Sequence, residues 1–262
     1  DVIGPSYGTH ACGDIGYGRM TNPEQIIERI KLTTKTSLLA GSKILVTAGP
    51  TREPIDPVRF MSNYSSGKMG YEVAIAAKSM GASVKLISGP VSLDPIKGVE
   101  TQYVETSNEM YEAVMSNVKD FDILISTAAI ADYKPANYSK TKYKKNQNNI
   151  SIEFKRGMDI ISTVSNKYKN IYTVGFAAET DSLKKNSLDK LTKKNLNMIV
   201  GNIANHELKL GFESDYNEVT IFTKNKSLKI ALSKKSEIAK TVLNVIAGDY
   251  SSNIKLINKN AK

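Results

Sequence analysis

The 262-residue sequence holds 36 Lys+Arg against 26 Asp+Glu, a formal net charge of +10, with 40% apolar residues, 7% aromatics and no Trp. That balance suits a soluble α/β protein with a real core and argues against a disordered chain. A single Cys rules out an intrachain disulfide framework, two His make structural zinc a poor fit, and no apolar run approaches the about 18 residues of a membrane span.

The chain starts at Asp1 rather than Met, which reads as a fragment or a processed chain. Residues 1–20 hold five Gly and one Pro, a composition that predicts irregular backbone. Thr21, Asn22, Pro23 and Glu24 read as a helix start with Ile26, Ile27 and Ile30 on one face, and 32–41 reads as a polar linker. From Ser42 onward apolar runs alternate with helical spacing. Strands are expected at 44–46, 83–88, 101–104, 121–126, 172–177 and 198–200. Helices are expected at 70–80 with Gly81 as the C-terminal cap, at 108–118 with Ser107 as N-cap, around 159–167 and at 181–195. Residues 218–223 and 227–232 read as a hairpin, 236–247 as a closing amphipathic helix, and 251–262 as a frayed tail. The fold class is therefore α/β: a Rossmann-like, doubly wound, mostly parallel sheet with a late antiparallel hairpin.

Ligands of such sheets bind outside the carboxyl ends of the strands. That rule selects the loops 48–67, 127–135, 177–180 and 201–205. The first runs from Thr47-Ala48-Gly49-Pro50-Thr51 through Ser62-Asn63-Tyr64-Ser65-Ser66-Gly67 into a helix, an order that leaves backbone N–H groups free to meet an anion. The second, with Ala128, Ala129 and Asp132, would let a ring or ribose lie on the backbone, Asp132 serving either ribose hydroxyls or a helix cap. YSKTKYKK at 138–145 is a solvated basic face or a mobile flap that closes on a triphosphate. Phe176 is placed to pack on a nucleobase or in the core. Lys190 and Lys194 share a helix face and repel unless an anion lies between them. The fingerprint GxGxxG is absent after the first strand, which disfavours a dinucleotide reductase. His10 and His206 lie far apart without a serine elbow, which disfavours a Ser–His–Asp hydrolase. The charge comes mainly from Lys, without a zinc-finger, RNP or basic-zipper pattern, so phosphate-bearing small ligands rank above nucleic acid.

GPTREPIDPVRFMSNYSSGKMG (49–70), AAIADYKP (128–135), KYKK (142–145) and GFAAET (175–180) resemble bacterial phosphopantothenoylcysteine synthetase over roughly 42–248, in order and spacing. ACGDIGYGRM (11–20) resembles the end of the preceding phosphopantothenoylcysteine decarboxylase, with Cys12 at the proton donor's position. The resemblance implies a decarboxylase remnant plus linker over 1–41 and a ligase domain over 42–250. It implies a cytoplasmic homodimer of coenzyme A biosynthesis that joins 4′-phosphopantothenate to cysteine through an acyl-cytidylate, using CTP with Mg²⁺. No FMN, no decarboxylase activity, no nucleic-acid partner and no membrane partner are expected. On the matching positions, Asn63 and Lys142 are catalytic. Ala128, Asp132, Lys142, Asp159, Ile160, Ile161, Phe176, Lys190 and Lys194 contact the nucleotide. Asn63, Ser65, Ser66, Gly67 and Ala129 hold the acyl substrate. Met158 stands where the family more often has Pro, and Tyr143 and Gly201 are milder departures. Against this ligase stand a short-chain NAD(P)H reductase, suggested by the α/β alternation, and a basic nucleic-acid-binding module, suggested by the charge.

Overall fold

The computed structural model describes residues 4–9, 12–27, 38–144, 149–204 and 214–260, with side chains in the last helix described to residue 251. His10, His206, Lys145, Ile30 and most of the expected linker lie outside these residues.

Eight strands form the central sheet. Six are parallel: β3 (Lys43–Ala48), β6 (Ser83–Ser88), β7 (Glu100–Tyr103), β8 (Ile123–Ser126), β11 (Tyr172–Glu179) and β12 (Met198–Ile203). They lie in the order β7-β6-β3-β8-β11-β12, the doubly wound order 3-2-1-4-5-6. The antiparallel pair β13 (Tyr216–Thr223) and β14 (Ser227–Lys234) extends the sheet beyond β12. Apolar side chains meet at the central rungs: Val46 of β3 sits opposite Leu86 and Ile125.

Helices cover both faces, which is why β3 is a continuous apolar run instead of an alternation. On one face α1 (Lys68–Ser79) and α5 (Lys235–Asn260) pack over Ile44, Val46, Ile123, Ile125 and Val174. On the other, α2 (Ser107–Asn117), α3 (Ile160–Lys167) and α4 (Leu183–Lys193) meet Leu45, Leu124, Ile199 and Phe222. Gly70 lets α1 approach β3: a Cβ there would lie 2.5 Å from the Ala48 Cβ and 2.3 Å from Thr127 Oγ1.

The doubly wound sheet and late hairpin match the expectation, and the differences are local. Residues 6–9 and 15–19 pair as a hairpin, β1 (Ser6–Thr9) and β2 (Ile15–Arg19), where irregular backbone was expected. Glycine weakens strand propensity without forbidding a paired ribbon, and Tyr7 and Tyr17 meet edge-to-face across it. Two further two-stranded ribbons interrupt the loops: β4 (Arg52–Pro54) with β5 (Phe60–Ser62), and β9 (Tyr133–Pro135) with β10 (Phe154–Arg156). Three-residue strands carry too little pattern to be legible. Thr106, not Ser107, caps α2, because Glu109 closes a capping box with it. The last helix runs through Asn260 instead of ending at 247; no Gly or Pro follows Gly248 to stop it.

Candidate active site at the strand switch point

Between β3 and β8 the chain order reverses, and the loops that follow these strands part to opposite faces. Backbone bonds tie the two loops at their roots. Ala129 N–H donates to Gly49 O at 2.9 Å, and Thr51 N–H donates to Ala129 O at 3.2 Å. Asn63 Nδ2 donates to the same Ala129 carbonyl at 3.0 Å, which fixes the polar loop ahead of α1 against the loop after β8. The β4–β5 ribbon is pinned by Glu53, a buried carboxylate that accepts from Ser107 N–H at the positive end of α2.

Two cavities open here and share one wall. The larger, about 410 Å³, is lined by Asn63, Ala128, Ala129, Asp132, Asp159, Ile160, Ile161, Phe176, Lys190 and Lys194, together with Arg156, Gly157 and Met158. The smaller, about 120 Å³, is lined by Ser65, Ser66, Gly67, Lys68, Asn202, Asn217 and Lys235. Ala128, Ala129, Phe176, Ala177 and Ala178 belong to both. Phe176 therefore stands at the junction, half-buried, with its inner edge on the core.

In the larger cavity every cationic end from α4 is matched by a carboxylate. Lys190 Nζ meets Glu179 Oε1 at 2.7 Å, and Lys194 Nζ meets Asp159 Oδ2 at 2.9 Å. The repulsion expected between the two lysines is relieved by these acids. Asp159 also caps α3, accepting from Ser162 N–H at 3.1 Å. Asp132 caps no helix: it is exposed and leads directly into β9.

The smaller cavity sits on the N-terminus of α1. Gly67 is the N-cap, in the left-handed region at φ 77°, and makes no side-chain cap. Glycine is suited to that φ, and the first turn of α1 keeps its positive end. Ser65 Oγ accepts from Gly67 N–H at 3.4 Å. Lys235, buried to 3% exposure at the start of α5, also lines this cavity. Burial, and then the charge of Lys68, lower its pKa to about 8, with Asp215 opposing.

Lys142 is exposed and lies in neither cavity wall. Its neighbour Tyr143 is docked: its N–H donates to Asp56 Oδ2 at 3.2 Å, and its carbonyl accepts from Arg59 Nη2 at 3.2 Å. Burial would raise the Asp56 pKa. Backbone N–H bonds from Val58, Tyr143 and Arg59, with the Arg59 charge, outweigh it and hold the carboxyl below its ordinary value. The stretch read as a solvated basic face or a mobile flap is thus held to the loop after β3 at Tyr143.

Cys12 is exposed beside Asp14 in the turn of the β1–β2 hairpin, outside both cavities. Sequence reasoning missed Glu179, Asn202, Asn217, Lys68 and Lys235. Glu179 lies inside the GFAAET motif and was within reach. Lys235 comes from the far end of the chain with no local signal. Among the described residues no group of three metal-ligating side chains occurs, and no helix is long and apolar enough to cross a membrane.

Strand order defines a Rossmann-like α/β protein whose cleft lies at the switch point. The DNA/pantothenate metabolism flavoprotein C-terminal domain matches residues 39–250, and the chain belongs to that family. It is 44% identical over 246 residues to the coenzyme A biosynthesis bifunctional protein CoaBC of Vibrio parahaemolyticus serotype O3:K6 (strain RIMD 2210633), covering 93% of this chain and 61% of that protein. It is 43% identical over 250 residues to the protein of that name from Bacillus subtilis (strain 168), covering 94% and 61%. The crystal structure of the C-terminal domain of a CoaBC protein superposes with a TM-score of 0.71 at 39% identity, over 82% of this chain and 99% of that one. The resemblance to the synthetase half is thereby borne out. The chain spans about three fifths of the length of the curated relatives it matches.

Proposed function

We propose that this domain is a phosphopantothenate–cysteine ligase that uses CTP. One observation carries the reading: two cavities of unequal size, one large enough for a nucleoside, share a wall of small residues at the switch point. That wall is where two bound ligands would meet. The nucleotide occupies the larger cavity, against Ala128, Asp132, Asp159, Ile160, Ile161 and Phe176, with Lys190 and Lys194 toward its phosphates. Ser65, Ser66, Gly67 and Ala129 hold the acyl substrate, and Asn63 orients it at the junction.

The reaction is the one the family resemblance implies, and the charge placement suits it. A carboxylate oxygen of the acyl substrate attacks the α-phosphorus; a P–O bond forms, the α–β anhydride bond breaks, and pyrophosphate leaves. The cysteine amine then attacks the acyl carbon and loses a proton; a C–N bond forms and CMP leaves. The first step needs clamps for developing phosphoryl charge more than a strong base, which suits a cavity rimmed by lysines. Lys142 reaches the α-phosphate when its tethered segment closes. A magnesium ion would arrive with the nucleotide phosphates, since among the described residues no group of three metal-ligating side chains occurs. The chain works as a cytoplasmic homodimer, with the β13–β14 hairpin as a candidate contact.

The reductase alternative loses its footing at the loop after β3. The dinucleotide motif needs a tight glycine turn there, and this chain inserts the β4–β5 ribbon instead. Pyrophosphate release with phosphopantothenate, comparing CTP with ATP, tests the proposal. Release with CTP and cysteine-dependent CMP formation are expected. Absence of release with either nucleotide would show the ligase reading to be wrong.

A further inference from the structure

Along two neighbouring strands the face that meets α1 and α5 changes character at the same end. On β12, Met198 and Val200 belong to that core, and Asn202 follows at the same spacing. On β13, Ile221 and Val219 belong to it, and Asn217 follows. The paired rungs of β12 and β13 end at Gly201 and Thr220, so both amides lie just past the ladder. A Val or Leu at 217 would continue the apolar face without the cost of burying a carboxamide.

Asn217 is 6% exposed and lines the smaller cavity beside Asn202. Next to it β14 sets Ala231 and Leu232 opposite Glu218 alone, a bulge of the kind that re-aims side chains. Glu218 N–H donates to Asn217 Oδ1 at 3.0 Å. That bond orients the carboxamide: the oxygen is engaged, and Nδ2 with its two hydrogens is the other end. Among the described residues Nδ2 has no partner. It is not sealed in the core either, because the buried side-chain polar atoms without a partner are Ser107 Oγ and Ser187 Oγ. An oriented, unpaired donor on a buried side chain therefore opens onto the cavity that Asn217 lines.

We propose that Asn217 is a specificity-determining residue whose Nδ2 donates to the amide carbonyl within the acyl substrate, with Asn202 as a second carboxamide beside it. The inference rests on the ligase reading, which puts the acyl substrate in the smaller cavity with its carboxylate at the junction. A short alkyl link joins that carboxylate to the amide, so the amide follows it into the cavity. The neutral donor adds no buried charge, and a ligand that lacks the carbonyl leaves it unpaired. That penalty is what makes such a contact selective.

The test compares 4′-phosphopantothenate with an analogue in which a saturated hydrocarbon link replaces the amide. Binding to the whole chain is measured by calorimetry, and pyrophosphate release with CTP is followed in parallel. Wild type should bind the analogue about 10- to 100-fold more weakly. Asn217→Leu removes the donor at similar volume. It should lose affinity for phosphopantothenate by that same factor, discriminate between the two ligands by no more than about twofold, and leave KM for CTP unchanged. Equal binding of the two ligands by wild type, or wild-type discrimination by Asn217→Leu, overturns the inference; the ligase reading then stands if wild type releases pyrophosphate. Discrimination lost in the variant, in a wild type that releases none, upholds the inference and removes the ligase reading. A wild type that binds neither ligand removes both. If Asn217→Leu does not fold, Asn217→Asp takes its place, since it keeps the acceptor for Glu218 N–H and removes the donor; wild-type discrimination by that variant is then the overturning result.

Discussion

Replacing Lys190 by Met separates what the α4 lysines do for the fold from what they do for a ligand. Glu179 ends β11 with its side chain 10% exposed, and its carboxylate has two side-chain partners: Lys190 at 2.7 Å and Asn186 Nδ2 at 3.3 Å. Lys190→Met leaves the acid buried with the weaker amide. The cost of stranding a charged partner is about 1–3 kcal/mol, at the lower end because Lys190 is itself 42% exposed. For a chain of this size about 1 kcal/mol lowers Tm by roughly 2–4 °C. Adding Glu179→Gln removes the stranded charge, so the double variant should recover most of that loss. It should not recover nucleotide binding, because the cation remains absent; KM for CTP should stay at least about 10-fold above wild type. The single variant Glu179→Gln frees Lys190 and should bind CTP at least as well as wild type. The measurements are thermal melting and initial-rate kinetics on the four proteins of the cycle. A double variant with wild-type KM for CTP would refute the nucleotide role of Lys190, and a single variant with wild-type Tm would refute the buried-charge argument.

Lys142→Ala should leave Tm unchanged, because the side chain is exposed and lines neither cavity, yet slow single-turnover acyl-cytidylate formation by about 100-fold or more; an unchanged rate removes the flap from the mechanism. Asn63→Asp replaces the donor to Ala129 O with an acceptor, so turnover should fall while CTP binding persists; unaltered kinetics would reduce the loop to a structural role. Gly70→Ala should destabilise by about 1–3 kcal/mol, since the clash with Ala48 and Thr127 outweighs about 1 kcal/mol of helix propensity; a higher urea midpoint would contradict the packing. The folded pKa of Asp56 is lowered, so its contribution to stability is complete above the ordinary value of 3.8 and is lost as pH falls through the folded value. Asp56→Ala should therefore accelerate hydrogen exchange at the Tyr143 amide at neutral pH, and equal protection in both proteins would rule out the tether.

Local sequence determined the elements. Apolar runs at 83–88 and 172–177, and the small-residue stretches after β3, β8 and β11, are legible because strand burial and backbone access constrain residue type at each position. Gly81 was readable as a helix stop for the same reason, since its φ of 88° is one that glycine adopts freely. The ribbons β4–β5 and β9–β10 were not, because three residues cannot display a period. Thr106 and Ser107 are equivalent caps by type, and only the Glu109 geometry chooses between them.

Tertiary structure decided what meets what. Strand order put the loops after β3 and β8 side by side, though about 80 residues separate Gly49 from Ala129, whose N–H meets the Gly49 carbonyl at 2.9 Å. It also gave Lys190 and Lys194 their carboxylates, turning an expected repulsion into two ion pairs. Lys235 shows the limit most clearly: the sequence places it at the edge of a predicted helix among other lysines, and only the packing of α5 beside α1 buries it at the smaller cavity. Composition and spacing record what each residue can do locally, whereas desolvation and charge pairing depend on distances that only the folded chain sets.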